Sequence, residues 1–118
     1  SWAPYYYPEM HKYTLDLVDR ITMIEGHQKI VDGIEVIKVG GHVPGEQLVT
    51  VQVDSGLAII TGDAALTYNH LEHNWPMGTF WNVHEVIAAY DLIRRRADIV
   101  LPQHEMEIWH RYPDGIIE

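Results

Sequence analysis

Leu48-Val49-Thr50-Val51-Gln52-Val53-Asp54-Ser55-Gly56-Leu57-Ala58-Ile59-Ile60-Thr61-Gly62-Asp63 is the stretch on which the fold turns. Val49, Val51 and Val53 fall on one face, with Thr50, Gln52 and Asp54 on the other, the period of a half-buried strand. Asp54-Ser55-Gly56 is a tight-turn signal, and Leu57 to Thr61 follows as an apolar strand. A hairpin is predicted. Upstream, residues 34–39 are β-branched and roughly alternating until Gly40-Gly41 stops them. Downstream, Asn82 has the chemistry of an N-cap, with Glu85 as its capping-box partner. Val83, Val86, Ile87, Tyr90 and Ile93 recur at helical spacing and predict one amphipathic helix over 83–97. Asp98-Ile99-Val100-Leu101 then reads as a short buried strand that Pro102 ends.

The order of these elements has a geometric consequence. Strand 48–53 is expected antiparallel to 34–39 and to 57–61, and the helix makes 98–101 parallel to 57–61. Three strands therefore end at one sheet edge. Just beyond those ends lie His42, Asp63 and His104. In open α/β sheets, ligands bind outside the carboxyl ends of the strands. Two imidazoles and a carboxylate at one edge make a transition-metal half-site. Taken singly, a histidine after a strand is a loop residue and Gly-Asp is a common turn pair.

Composition bounds the alternatives. The 118 residues suit one domain, and 47% hydrophobic with 21% charged residues is a globular balance. No apolar run approaches the ~18 residues of a membrane span, and no signal peptide opens the chain, so a cytoplasmic location is expected. The absence of cysteine excludes disulfides, thiolate metal sites and a thiol nucleophile. Eight Lys and Arg against seventeen Asp and Glu give a net charge of −9, which repels phosphate backbones and argues against nucleic acid. Eight histidines are many for this length. No methionine opens the chain, as expected if it begins partway through a longer protein. The opening Ser1–Pro8 segment, with Trp2 and Tyr5 to Tyr7, reads either as a packed irregular arm or as a pocket wall.

Three motifs sit at the predicted edge: Gly41-His42-Val43-Pro44-Gly45-Glu46-Gln47, Ile60-Thr61-Gly62-Asp63-Ala64 and Leu101-Pro102-Gln103-His104-Glu105. With the later Arg111-Tyr112-Pro113, they make residues 33–114 resemble the C-terminal half of a metallo-β-lactamase-fold hydrolase, most nearly the N-acyl homoserine lactonase branch. The resemblance implies an α/β fold, the C-terminal half of an αββα sandwich whose sheet is completed by another chain or segment. Residues 1–32 would then be an aromatic arm and lead-in, and 33–118 the half-domain. It further implies a metal-dependent hydrolase that opens a lactone ring, a quorum-quenching chemistry, through hydroxide generated at two divalent metal ions. Zinc is the default, with iron, manganese or cobalt also compatible with such donors. His42 would bind one metal, His104 the second, and Asp63 would bridge them and pass a proton to the leaving oxygen.

Two departures from the family pattern shape the rest of the reading. The family's remaining ligands come from a His-x-His-x-Asp-His motif that this chain lacks; Asn69-His70-Leu71-Glu72-His73-Asn74 has a different spacing. A tightly held complementary chain carrying that motif is therefore expected, from a separate gene or from cleavage before Ser1, with a higher oligomer left open. Lactonases of this branch also often have tyrosine three residues after the bridging aspartate, where this chain has Leu66; the nearest tyrosine is Tyr68. Candidate substrate-binding residues are Tyr68, His70, His73, Trp75 and Phe80. His70 and His73 share a helix face and suit a substrate grip, a metal or a surface lid, while Trp75 to Trp81 is an aromatic loop suited to a pocket wall or to core packing. His84 opens the helix, and Arg94-Arg95-Arg96 reads as its solvated end. The rival functions are another hydrolase of the superfamily (thioesterase, β-lactamase or other ester hydrolase) and a non-catalytic subunit.

Overall fold

Alternation in the Val49–Val53 stretch and the two-residue Asp54-Ser55 loop do produce a hairpin, and the rest of the sheet grows from it. The computed structural model describes residues 8–117, with side chains from residue 12 onward. In chain order the elements are α1 (Pro8–Asp16), β1 (His27–Val31), β2 (Ile34–Lys38), β3 (Gln47–Val53), β4 (Gly56–Ile60), α2 (Tyr68–His73), α3 (Val83–Arg96), β5 (Ile99–Leu101) and α4 (Ile108–Arg111). The five strands form one sheet in the order β1-β2-β3-β4-β5. The first three pairings are antiparallel and β4 with β5 is parallel. A crossover through a helix, here α3, is the usual way to join parallel neighbours.

Strand β1 lies in the stretch that the sequence had left as a lead-in. It pairs with β2 through the two-residue turn Asp32-Gly33, where Gly33 sits at φ +80°. Asp-Gly is a strong hairpin signal because the turn needs positive φ. Helix α1 is a second addition. The aromatic residues Trp2 to Tyr7 lie outside the described residues.

Helix α3 covers one sheet face. Leu48 of β3, Ile59 of β4 and the α3 residues Val86, Ala89, Tyr90 and Ile93 are all buried in one cluster, with Val100 and Leu57 packed against it. The opposite face carries Val36, Val49, Val51, Ala58 and Ile60, which the strand register places together. None of these belongs to the cluster under α3.

Helix α3 starts as predicted, with Asn82 Oδ1 accepting from the backbone N–H of His84 and of Glu85 at 3.0 and 3.3 Å. The capping box does not close. The Asn82 N–H donates to the Gly41 carbonyl at 3.1 Å, and the Glu85 carboxylate takes the Gly41 N–H at 2.9 Å. A tertiary partner replaces the local one. The arginine run at the far end also differs from a wholly solvated one: Arg94 donates to the Leu71 carbonyl and pairs with Asp91, tying α3 to α2. Among the described residues, no helix is long and apolar enough to cross a membrane.

Candidate functional site

Strands β2, β4 and β5 run in one direction, so the loops that follow them share an edge. Those loops bring His42, Asp63 and His104 together as their order predicted. His104 Nε2 lies 3.1 Å from Asp63 Oδ1, and His42 Nε2 lies 3.7 Å from Asp63 Oδ2. Each carboxylate oxygen thus faces one imidazole. The Nδ1 of His42 is 2.8 Å from the Thr79 carbonyl. A carbonyl only accepts, so Nδ1 carries the hydrogen, and in the neutral ring Nε2 keeps a lone pair toward Asp63. A backbone carbonyl on the remote ring nitrogen is the usual way a metal-binding histidine is oriented.

The loop bearing His42 is built against the start of α3. Gly40 and Gly41 have φ of +67° and +94°, and a Cβ on Gly41 would come within 2.9 Å of the Val86 nitrogen. Only glycine fits there. The Trp81 N–H donates to the Gly41 carbonyl at 2.8 Å, and with the Glu85 carboxylate on Gly41 N–H it clamps the residue before His42 from both sides.

Asp63 sits in a single 3₁₀ turn, Gly62–Ala64, directly after β4. Thr61, fully buried, donates its hydroxyl to the Ala65 carbonyl at 2.6 Å and closes the turn from below. From the β2–β3 loop, Glu46 Oε1 accepts the Asp63 N–H at 3.2 Å. Burial pushes the Glu46 carboxyl above its ordinary value, partly offset by that backbone N–H. The His104 loop is fixed by its own N–H donating to the Leu66 carbonyl at 3.1 Å. The next residue, Glu105, accepts from the Tyr68 and Glu107 N–H groups, which hold its carboxyl below the ordinary range.

The substrate-binding candidates are placed less uniformly. The Tyr68 hydroxyl donates to the Val100 carbonyl at 3.0 Å, and the Arg111 guanidinium lies 3.9 Å over its ring. Burial raises its pKa. It lines a cleft of about 270 Å³ with Leu71, Arg94, Val100, Arg111 and Tyr112, apart from the histidine–aspartate edge. Tyr68 is therefore no stand-in for the missing tyrosine at position 66. His70 Nδ1 pairs with the Thr67 hydroxyl at 2.7 Å, and the His73 ring packs on Trp75 with centroids 4.5 Å apart. Trp75 and Phe80 are exposed. Phe80 directly follows Thr79, whose carbonyl holds His42. Sequence reasoning read Glu85 as a capping-box partner and Thr79 and Trp81 only as part of an aromatic loop, and gave Glu46 no separate role; their contacts here are with distant segments. Among the described residues, no group of three or more His, Asp or Glu side chains is placed to hold a metal ion. His42, Asp63 and His104 are nonetheless side chains of the type that binds divalent metals.

The chain is similar to known lactonases over part of its length. Over 82 residues it is 29% identical to an N-acyl homoserine lactonase of Bacillus cereus, covering 69% of this chain and 31% of the relative. Over 89 residues it is 25% identical to an N-acyl homoserine lactonase of Bacillus thuringiensis, covering 72% of this chain and 36% of the relative. The chain is a partial, lactonase-like relative of the metallo-β-lactamase superfamily. It spans about a third of the length of the curated relatives it matches. Among solved structures, it matches an N-acyl homoserine lactone hydrolase with N-hexanoyl-L-homoserine bound at the catalytic metal center. That match has a TM-score of 0.65 at 21% identity, over 76% of this chain and 38% of the other. A probable metal-dependent hydrolase from Staphylococcus aureus gives the same TM-score and identity, over 76% of this chain and 34% of its own. These matches show the fold, a mixed α/β unit with the coverage of a C-terminal half. No protein-family model matches the sequence.

Proposed function

We propose that this chain is the C-terminal half of a metal-dependent hydrolase that opens a lactone ring of the N-acyl homoserine lactone type. The observation that carries the reading is the Asp63 carboxylate with one imidazole nitrogen facing each oxygen. A carboxylate so placed suits a bridge between two cations, with His42 serving one and His104 the other. Divalent metals, zinc by default, supply there a nucleophile at neutral pH and polarise the ester carbonyl. The chain's own part is to fix the donors: Thr79 sets the ring of His42 and Glu85 and Trp81 hold Gly41, and Asp63 would pass a proton to the leaving alkoxide. The exposed aromatic residues Phe80 and Trp75 offer apolar surface for an acyl arm.

Two donors per cation are too few to hold a metal against water. The missing ligands would come from a complementary polypeptide or preceding segment carrying a His-x-His-x-Asp-His motif. A second reading, hydrolysis of another ester or a thioester, is favoured by one observation. Leu66 occupies the position of the expected tyrosine, and the Tyr68 hydroxyl is bound to Val100. The deciding experiment purifies the protein with any chain that accompanies it, measures metal content, and assays a panel of acyl homoserine lactones, simple esters and thioesters. Metal with lactone turnover that a chelator abolishes supports the first reading. Thioester turnover without lactone turnover supports the second, and chelator-insensitive hydrolysis would refute both.

A further inference from the structure

Asp63 is carried by a turn of three residues, closed by the Ala64 N–H on the Thr61 carbonyl and by the Thr61 hydroxyl on Ala65, and neither bond engages the Asp63 N–H. Thr61 occupies the N-cap position but makes no capping bond, because its hydroxyl is turned to Ala65. The Asp63 N–H is taken instead by Glu46, seventeen positions earlier, at 3.2 Å. The absence of a side chain at Gly62 makes the approach possible, since a Cβ there would lie 2.8 Å from Glu46 Oε1. Glu46 is itself anchored: its carbonyl accepts the N–H groups of Val39 and Gly40 at 2.9 and 3.2 Å, at the end of β2. It belongs to the same short loop as His42, whose Nε2 faces the second oxygen of Asp63. One residue thus joins the end of β2, the His42 loop and the Asp63 turn.

We propose that Glu46 is a positioning residue for the Asp63 carboxylate, holding its turn at the distance from His42 and His104 that lets one carboxylate serve both. The proposal rests on the reading of those three residues as metal ligands. It acts through the acceptor oxygen on the Asp63 N–H and not through a bond from Glu46 to metal. Glutamine, whose side-chain carbonyl can accept the same N–H, therefore substitutes for it, and alanine does not.

The test is a cobalt titration, followed by visible absorption, of the protein as purified with any chain that accompanies it. The panel is wild type, Glu46→Gln, Glu46→Ala, Glu46→Asp and Asp63→Ala. Glu46→Gln should keep the wild-type spectrum and bind within about 3-fold of wild type. Glu46→Ala should bind about 10- to 100-fold more weakly, the usual cost of losing an outer support of a ligand, with an altered spectrum. Glu46→Asp, one methylene short, should show a smaller loss and serves if the alanine variant does not fold. A general loss of stability would weaken binding without changing the cobalt spectrum or being rescued by glutamine. If Glu46→Gln is as weak as Glu46→Ala, or if Glu46→Asp and Glu46→Ala match wild type, the proposal is overturned while the metal reading stands. If wild type takes up no cobalt, or Asp63→Ala takes it up normally, the ligand reading fails and the proposal falls with it.

Discussion

Ile59 and Ile60 are neighbours in β4, chemically identical, and they end in opposite surroundings. Ile59 is 0% exposed, packed with Leu48 beneath α3; Ile60 is 39% exposed on the other face. The same division runs across the sheet. Under α3, side chains from β3, β4 and the helix make one buried cluster. On the far face Val36 and Ala58 are buried, but Val49, Val51 and Val53 are only half-buried, although their chemistry is that of a core. At the same time the strand-end loops are tied down in detail, Gly41 by three hydrogen bonds and Asp63 by Glu46. The contrast teaches that this chain closes the face under α3 and ties down its strand-end loops by itself, while much of the other face stays only half-covered.

The largest test of that contrast removes the proposed complement. The 118-residue chain alone should show no lactone hydrolysis and should self-associate through its half-covered apolar face, as read by activity assay and light scattering. Adding the complementary half should restore turnover. A monomeric, active chain without a partner would break the comparison at its base.

Replacing Asp63 by Asn in the complete assembly comes next. An amide is a poor bridge between cations, so activity should fall by at least about 100-fold, because several kcal/mol of charge stabilisation depend on it. Metal analysis of the same sample should show reduced occupancy.

The paired substitution Ile59→Ala and Ile60→Ala sharpens the difference between the faces. Urea unfolding of the chain should show a loss of roughly 2–5 kcal/mol for Ile59→Ala and only about 1 kcal/mol for the half-exposed Ile60→Ala. If Ile60 meets the complement, Ile60→Ala should weaken association more than Ile59→Ala does. Equal unfolding losses would mean that the two faces are equally finished.

The smallest effect concerns the covered side. Tyr90 is 0% exposed and its hydroxyl donates to the Trp75 carbonyl at 3.0 Å. Burial raises its pKa above the ordinary 10.0. The folded state therefore holds this proton more tightly than the unfolded chain, so the stability it contributes is intact below about pH 10 and is lost as pH rises through the folded value. Tyr90→Phe should cost about 1 kcal/mol at neutral pH and flatten that alkaline decline in denaturation midpoints.

Much of this architecture could be read along the chain. The alternation of 48–53, the Asp54-Ser55-Gly56 turn and the helical period of 83–97 are local patterns, and each became the element it described. Strand β1 was equally legible in Asp32-Gly33, a hairpin signal lying between two β-rich runs. Glu85 was not. Its spacing from Asn82 satisfies a capping box, yet the carboxylate has a better-placed donor in Gly41, forty-four positions away. Tyr68, His70 and His73 share that limit: sequence shows polar side chains at suitable positions, and only packing decides that Val100, Thr67 and Trp75 claim them.

The sequence by itself determined the strand order and direction, and with them the convergence of His42, Asp63 and His104 at one edge. Periodicity and turn chemistry act between near neighbours, and a helical crossover brings β5 back parallel to β4. Tertiary structure alone decided which sheet face α3 covers, which ring nitrogen of His42 is free, and which carboxylates hold the donor loops. Those outcomes depend on hydrogen bonds and contacts between segments far apart in the chain, where the energy of each pairing is set by what else competes for the same donor.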